Sequence, residues 1–205
     1  MKGVFITFDG IEGCGKSTQA RLLYEYLKST GRKCVYTHEP GGTSIGEDIR
    51  NILLNPKNKD IAKTAELLLF EASRAQLIAE VIAPALRKGV IVICDRFNDS
   101  TYAYQAYAGG VNKNIIRAIE DVSIGRLKPD LTILLDTDTK SGLTRTIKAD
   151  RIQGKSFSFH NKVRRGYLDL ANRHPGRIKV IKTQPTADET QILVRKVVNK
   201  RIGRA

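Results

Sequence analysis

The chain has 205 residues, 35 Lys and Arg against 21 Asp and Glu, and a formal net charge of +14. Its hydrophobic (41%) and charged (27%) fractions are those of a globular chain that buries a core without staples, which excludes a disordered or collagen-like polymer. No apolar run approaches the ~20 residues of a membrane span, and three cysteines without a C-x-x-C pattern exclude a zinc or disulfide framework.

The first element is a β-branched run, Val4–Phe8. It leads directly into Gly10-Ile11-Glu12-Gly13-Cys14-Gly15-Lys16-Ser17-Thr18, the pattern G-x-x-x-x-G-K-[ST]. Successive backbone N–H groups and a helix N-terminus make an anion nest there. Lys16 adds a point charge, and the Ser17 hydroxyl is a ligand type for Mg²⁺. Cys14 lies inside this nest, where a thiolate is favoured, but a small residue filling a loop position is the leading reading over a redox role. A helix over Ser17–Leu27 follows, with Ala20, Leu23, Tyr24 and Leu27 as its apolar face, and it stops at Gly31.

A second strand, Cys34–Tyr36, leads into Glu39-Pro40-Gly41-Gly42-Thr43 and then a polar loop at 55–60. A long helix is expected over Thr64–Leu86, with a stripe through Leu67, Phe70, Leu77, Val81 and Ile82. Phe70 and Arg74 fall one turn apart on one face, a stacking ring beside a guanidinium. The third strand, Val90–Cys94, hands over to Asp95-Arg96. An acid at that place suits Mg²⁺ and its waters, and an adjacent arginine suits a second phosphate. Ser100, Thr101, Tyr104 and Gln105 then recur at helical spacing as a polar and aromatic stripe. Strands at Leu131–Leu135 and Ile178–Ile181 complete the set, and a last helix runs over Thr186–Lys200. Between the last two strands, Ala149–Ser158 is charged and broken by Gly154, the pattern of a segment that covers a site.

This alternation reads as one α/β domain over residues 1–205: a three-layer α/β/α fold on a five-stranded parallel sheet, with a lid near 145–158. Ligands bind at the carboxyl ends of such strands. The excess positive charge reads as a solvated basic face. Its C-terminal cluster, Arg195, Lys196, Lys200, Arg201 and Arg204, complements a helix dipole, and a nucleic-acid surface is the lesser reading.

Taken together, these segments resemble the thymidylate kinase family over nearly the whole chain. The blocks are Phe8–Gln19, Glu39–Thr43, Leu69–Arg74, Asp95-Arg96-Phe97, Ser100–Gln105, Pro129–Thr132 and Asp150-Arg151-Ile152. The phosphate loop has no arginine at its variable positions, like the bacterial type with basic lid residues. The resemblance implies phosphorylation of dTMP by ATP with Mg²⁺, a cytoplasmic location and a homodimer packed through helices.

It also implies residue roles. Residues 10–18 hold ATP, and Ser17, Asp95 and Glu12 serve the metal or its waters. Glu12, Glu39, Pro40, Phe70, Arg74, Arg96, Ser100, Thr101, Tyr104 and Gln105 form the dTMP site. Lys16, Arg96, Asp95, Arg145, Lys148 and Arg151 act on the transferring phosphoryl. Two positions depart from the bacterial pattern: His38 where arginine is usual, and Gln153 where glutamate is usual. The lid is short, with Lys155 in a region often acidic. A kinase for another nucleoside monophosphate, a nucleic-acid-associated ATPase and a nucleotide-binding regulator without catalysis are the other readings. Arg96 stands where the ATPase would need a glutamate.

Overall fold

The computed structural model describes residues 3–145 and 150–203. Five strands form one parallel sheet in the order β2-β3-β1-β4-β5: β1 Phe5–Asp9, β2 Cys34–His38, β3 Ile91–Asp95, β4 Leu131–Asp136 and β5 Ile178–Lys182. The expected strands are all present, but each runs one or two residues further toward its carboxyl end. The acids Asp9, Asp95 and Asp136 are therefore the last strand residues. Register places Phe8 between Asp95 on β3 and Ile133 on β4.

β1 and β3 are buried along their whole length, which is why they read as unbroken apolar runs. β5 closes one edge and exposes Lys179 and Lys182, charges that discourage pairing with another strand. One core layer joins the sheet to α1 (Lys16–Ser29), α8 (Phe157–Arg173) and α9 (Ala187–Ile202) through Leu23, Leu27, Ile133, Val163, Val194 and Val198. On the other face, Phe5 meets Phe97 edge-on at 4.8 Å, beside Leu77 and Ile82.

The long helix expected from residue 64 is present but not uniform. It is α3 (Lys63–Leu77), a π turn over Ile78–Ile82, and α4 (Ala83–Arg87). Pro84 gives the reason: it lacks an N–H and its ring crowds the Glu80 carbonyl, so the ladder widens ahead of it. The stripe after β3 is likewise α5 (Asn98–Thr101) followed by a π segment, Tyr102–Ala108. α2 (Ser44–Leu54), α6 (Lys113–Ser123), α7 (Thr139–Thr144) and α8 are helices that the sequence reading did not single out. Their caps explain their starts: Thr43, Asn112, Asp138 and Ser156 each accept a backbone N–H at the helix entry. The last helix starts with a capping box between Thr186 and Glu189.

Candidate active site

A cavity of about 720 Å³ opens at the carboxyl ends of the strands. Its wall includes residues 12–19 from the loop after β1, His38–Pro40 after β2, Asp95 and Arg96 after β3, and Thr183–Ala187 after β5. α3 contributes Phe70 and Arg74, and the helical stretch after β3 contributes Ser100, Thr101, Tyr104 and Gln105.

The loop after β1 turns into α1 at Gly15, whose φ of 90° is closed to most side chains. A Cβ on Gly15 would meet no atom within 4 Å, so its outer side faces open space. Gly13 differs: a Cβ there would overlap the carbonyl oxygen of Gly142 in α7, and one on Gly142 would stand 2.6 Å from the Glu12 carbonyl oxygen. The loop tip and α7 thus touch backbone to backbone. Lys16 is buried, and its Nζ donates to the Ile11 carbonyl at 2.7 Å. The Ser17 hydroxyl donates to Asp95 Oδ2, while Asp95 Oδ1 is buried without a hydrogen-bond partner.

Arg96 has φ of 73°, the sole non-glycine residue with positive φ among the described residues. Such a conformation is held only where the surroundings over-determine it. They do here. Nη2 donates to Glu12 Oε1 at 2.6 Å, Nη1 donates to the Gly10 carbonyl at 3.1 Å and to Tyr167 Oη at 3.2 Å, and the guanidinium lies 5.1 Å from the Tyr104 ring centroid. Tyr104 donates its hydroxyl to the same Glu12 oxygen at 2.8 Å. Burial favours neutral Glu12, but Arg96, Lys16 and the Tyr104 hydrogen bond outweigh it and bring the carboxyl down to about 2.

Arg74 holds a second part of the wall. Nε donates to Glu39 Oε2 at 2.7 Å, Nη1 to Thr101 Oγ1 at 2.9 Å and to Glu71, and the group lies 5.3 Å from the Phe97 ring centroid. Burial pushes the Glu39 carboxyl up to about 8 despite Arg74, with Glu71 and Asp9 adding negative charge. Glu39 Oε1 is buried without a partner. Phe70 is half-buried on the cavity wall, not in the core. Gln105 donates to Glu66 at 3.0 Å, so this part of the stripe is braced by protein partners.

One expectation is corrected, and the lid residues are located where they can be. Cys14 is buried, and desolvation raises its thiol above the ordinary value even with Lys16 nearby, so the nest does not favour a thiolate. Arg151 is not among the residues lining the cavity. It is tied to α2 and α3, through Nε to the Leu53 carbonyl at 2.7 Å and an ion pair with Glu66 at 2.6 Å. Lys148 lies outside the described residues, whereas Arg145 lines the cavity. His38 pairs with Glu47 at 2.9 Å, and the Gln153 side chain accepts the Asp150 N–H at 3.4 Å.

The sequence reading missed Asp9, Tyr167, Arg50 and Gln19. Asp9 accepts from Ser100 at 2.6 Å and from Tyr167 at 3.3 Å, and burial together with Asp99 pushes its carboxyl up to about 6. It is an acid ending an apolar strand, the signal that found Asp95. Arg50 donates to the Pro40 carbonyl at 2.8 Å, and Gln19 to that of Ala187 at 2.8 Å. No local pattern marks Tyr167, which reaches the site from mid-α8.

The family model for thymidylate kinase matches residues 8–194. A thymidylate kinase from Citrifermentans bemidjiense is 44% identical over 98% of this chain and 93% of its own length. One from Pelotomaculum thermopropionicum is 48% identical over 88% and 86%. The crystal structure of thymidylate kinase from Ehrlichia chaffeensis superposes with a TM-score of 0.81 at 36% identity, covering 97% of this chain and all of that one. With this likeness along its whole length, the chain belongs to the thymidylate kinase family, whose reaction is phosphorylation of dTMP by ATP.

Proposed function

We propose the following division of labour for phosphoryl transfer from ATP to dTMP. The N–H groups of residues 10–18 and Lys16 bind the donor phosphates. Arg96, held by Glu12 and Tyr167, binds the acceptor phosphate. Phe70 stacks on the thymine ring and Arg74 meets its edge, with Glu39, Pro40, Ser100, Thr101, Tyr104 and Gln105 completing the pocket. The observation that carries this reading is that one cavity is lined by the phosphate loop, by Arg96, and by Phe70 and Arg74.

The dTMP phosphate has a second pKa near 6, so it arrives largely as a dianion and needs no general base. The remaining task is to hold two anions in line, which Lys16, Arg96, Arg145 and Lys148 do by charge. Ser17 and Asp95 fit a Mg²⁺ ion or its waters, because Asp95 keeps a buried, unpartnered oxygen beside the Ser17 hydroxyl; Glu12 lies on the same loop. Bound there, Mg²⁺ neutralises phosphate charge. Tyr104, whose hydroxyl donates to Glu12, crowds a ribose 2′-hydroxyl on this reading.

The chain works as a single domain, with the segment near 145–158 as lid. It works as a homodimer: Ile45 and Ile52 on α2, Leu68 on α3, and Ile115 and Val122 on α6 expose large apolar side chains on helices of which α3 packs against both others. A cytoplasmic location accords with a nucleotide substrate, and no described helix is long and apolar enough to cross a membrane.

A coupled assay with ATP and a panel of nucleoside monophosphates tests the reading. dTMP-dependent ADP release, lost in Lys16→Ala and Arg96→Ala while the fold persists, is the expected result. Near-normal turnover in either variant sinks the assignment, and equal rates with every monophosphate sink the pocket.

A further inference from the structure

The net charge of +14 is not spread evenly. In a parallel sheet every turn entering a strand lies at the pole opposite the active site. Here those turns are 30–33 before β2, 88–90 before β3, 124–130 before β4 and 174–177 before β5. They carry Arg32, Lys33, Lys88, Arg126, Lys128, His174 and Arg177, with Asp130 as their one acid. Asp130 is already paired with Arg201 at 2.9 Å, and Arg177 with Asp99 at 2.6 Å. Arg32, Lys33, Lys88, Arg126 and Lys128 are exposed and make no ion pair among the described residues.

Helix dipoles account for part of this charge. Lys28, Arg87, Arg173, Lys200 and Arg201 lie in last helical turns, where cations are favoured. Arg32, Lys33, Arg126 and Lys128 lie beyond the helix ends and do not need that role. The turns stand side by side: the Lys33 carbonyl accepts from Ile91 at 3.0 Å, Asp130 donates to Phe5 at 2.8 Å, and the Arg177 carbonyl accepts from Thr132 at 3.0 Å. Five strands at ~4.8 Å spacing make this a basic row about 20 Å long.

We propose that this pole is a sequence-independent docking surface for the phosphate backbone of double-stranded nucleic acid. A line of cations with almost no acid between them matches a polymer whose negative charges repeat. The four turns expose no large apolar side chain and contain no Phe, Tyr or Trp, so they offer neither a wedge for a lipid surface nor a large ring on which single-strand bases could stack. The site lies on the far side of the sheet from the cavity, so both can be occupied together.

The test is fluorescence anisotropy of a labelled DNA duplex of about 20 bp, a length that covers the row. The full chain is used with saturating ADP and dTMP, so that the phosphate positions of the cavity are filled. Neutralising about four phosphates predicts that affinity falls about 10²-fold between 50 and 200 mM salt. The variant R32Q/K33Q/R126Q/K128Q should bind at least about tenfold more weakly with kcat and KM unchanged, and the milder K33Q/K128Q should fall between. Absence of binding at 50 mM salt overturns the proposal. So does equal affinity in both variants, or equal binding of polyglutamate or anionic vesicles.

Discussion

Arg74, buried, and Arg96, half-buried, are arginines that pair with glutamates inside one cavity, yet opposite charge states prevail around them. Arg96 faces Glu12 with Lys16 nearby, and that carboxyl drops to about 2. Arg74 faces Glu39 and Glu71, with Glu120 further off, and the Glu39 carboxyl rises to about 8. The difference lies in what offsets burial. Arg96, Lys16 and the Tyr104 hydroxyl together outweigh the burial of Glu12, while Arg74 alone does not outweigh the burial of Glu39 and the nearby charges of Glu71 and Asp9. On the proposed roles, a phosphate is met by charge and an uncharged ring by a frame that keeps a proton.

The comparison breaks first on the arginines themselves. Arg96→Ala should lower kcat by about 10³ or more, as loss of a phosphate-clamping arginine does elsewhere, with a modest drop in melting temperature. Arg74→Ala should do the reverse in weight. It leaves Glu39 and Glu71 buried without a counter-charge, which costs about 3–5 kcal/mol of stability in a thermal or urea melt. Equal destabilisation by the two variants would show that the ends are not built differently.

Next comes pH. The folded-state pKa of Glu39 lies above its unfolded value, so between about 4.5 and about 8 the unfolded chain releases a proton that the folded chain keeps. Glu39 therefore makes stability fall as pH rises through that window, and Glu39→Gln should flatten the decline. Glu12 has the opposite sign. Its depressed carboxyl contributes stability above pH 4.5 that is lost as pH falls toward about 2, and Glu12→Gln should remove that acid-side loss. Melts from pH 3 to 8 read both slopes; parallel curves for wild type and the two variants would refute them.

The smallest effect concerns Arg151. Tied to Leu53 and Glu66, it should lose about 1–3 kcal/mol of stability on mutation to alanine, and the fractional fall in kcat should be smaller than for Arg145→Ala. A larger loss of kcat than in Arg145→Ala would return Arg151 to the phosphates.

The residues legible in the sequence were those whose position follows from the sheet. Each strand end delivers its next few residues to one pole, so the loop of 10–18, Glu39, Asp95 and Arg96 could be placed from strand assignments alone. Phe70 and Arg74 needed only helical spacing. Tyr167 and Arg50 were hidden because their contacts cross from helices whose rotation no local pattern fixes. Arg151 shows a related difficulty: a basic residue near a lid motif has two possible directions, and the Leu53 carbonyl and Glu66 that hold it here are close in space only. The π turn before Pro84 and the π segment after Thr101 shift side chains by a fraction of a turn that α spacing does not anticipate.

The contact between Gly13 and Gly142 carries a consequence for how the donor end is gauged. α7 rests on the tip of the phosphate loop without any side chain between them, and Arg145 follows immediately after α7. The loop is thus the fulcrum from which that cation's reach is measured. A methyl group added at Gly142 lengthens one arm of the lever and would detune Arg145 while leaving every residue of the phosphate loop unchanged, whereas one at Gly13 would also strain the loop's own left-handed backbone.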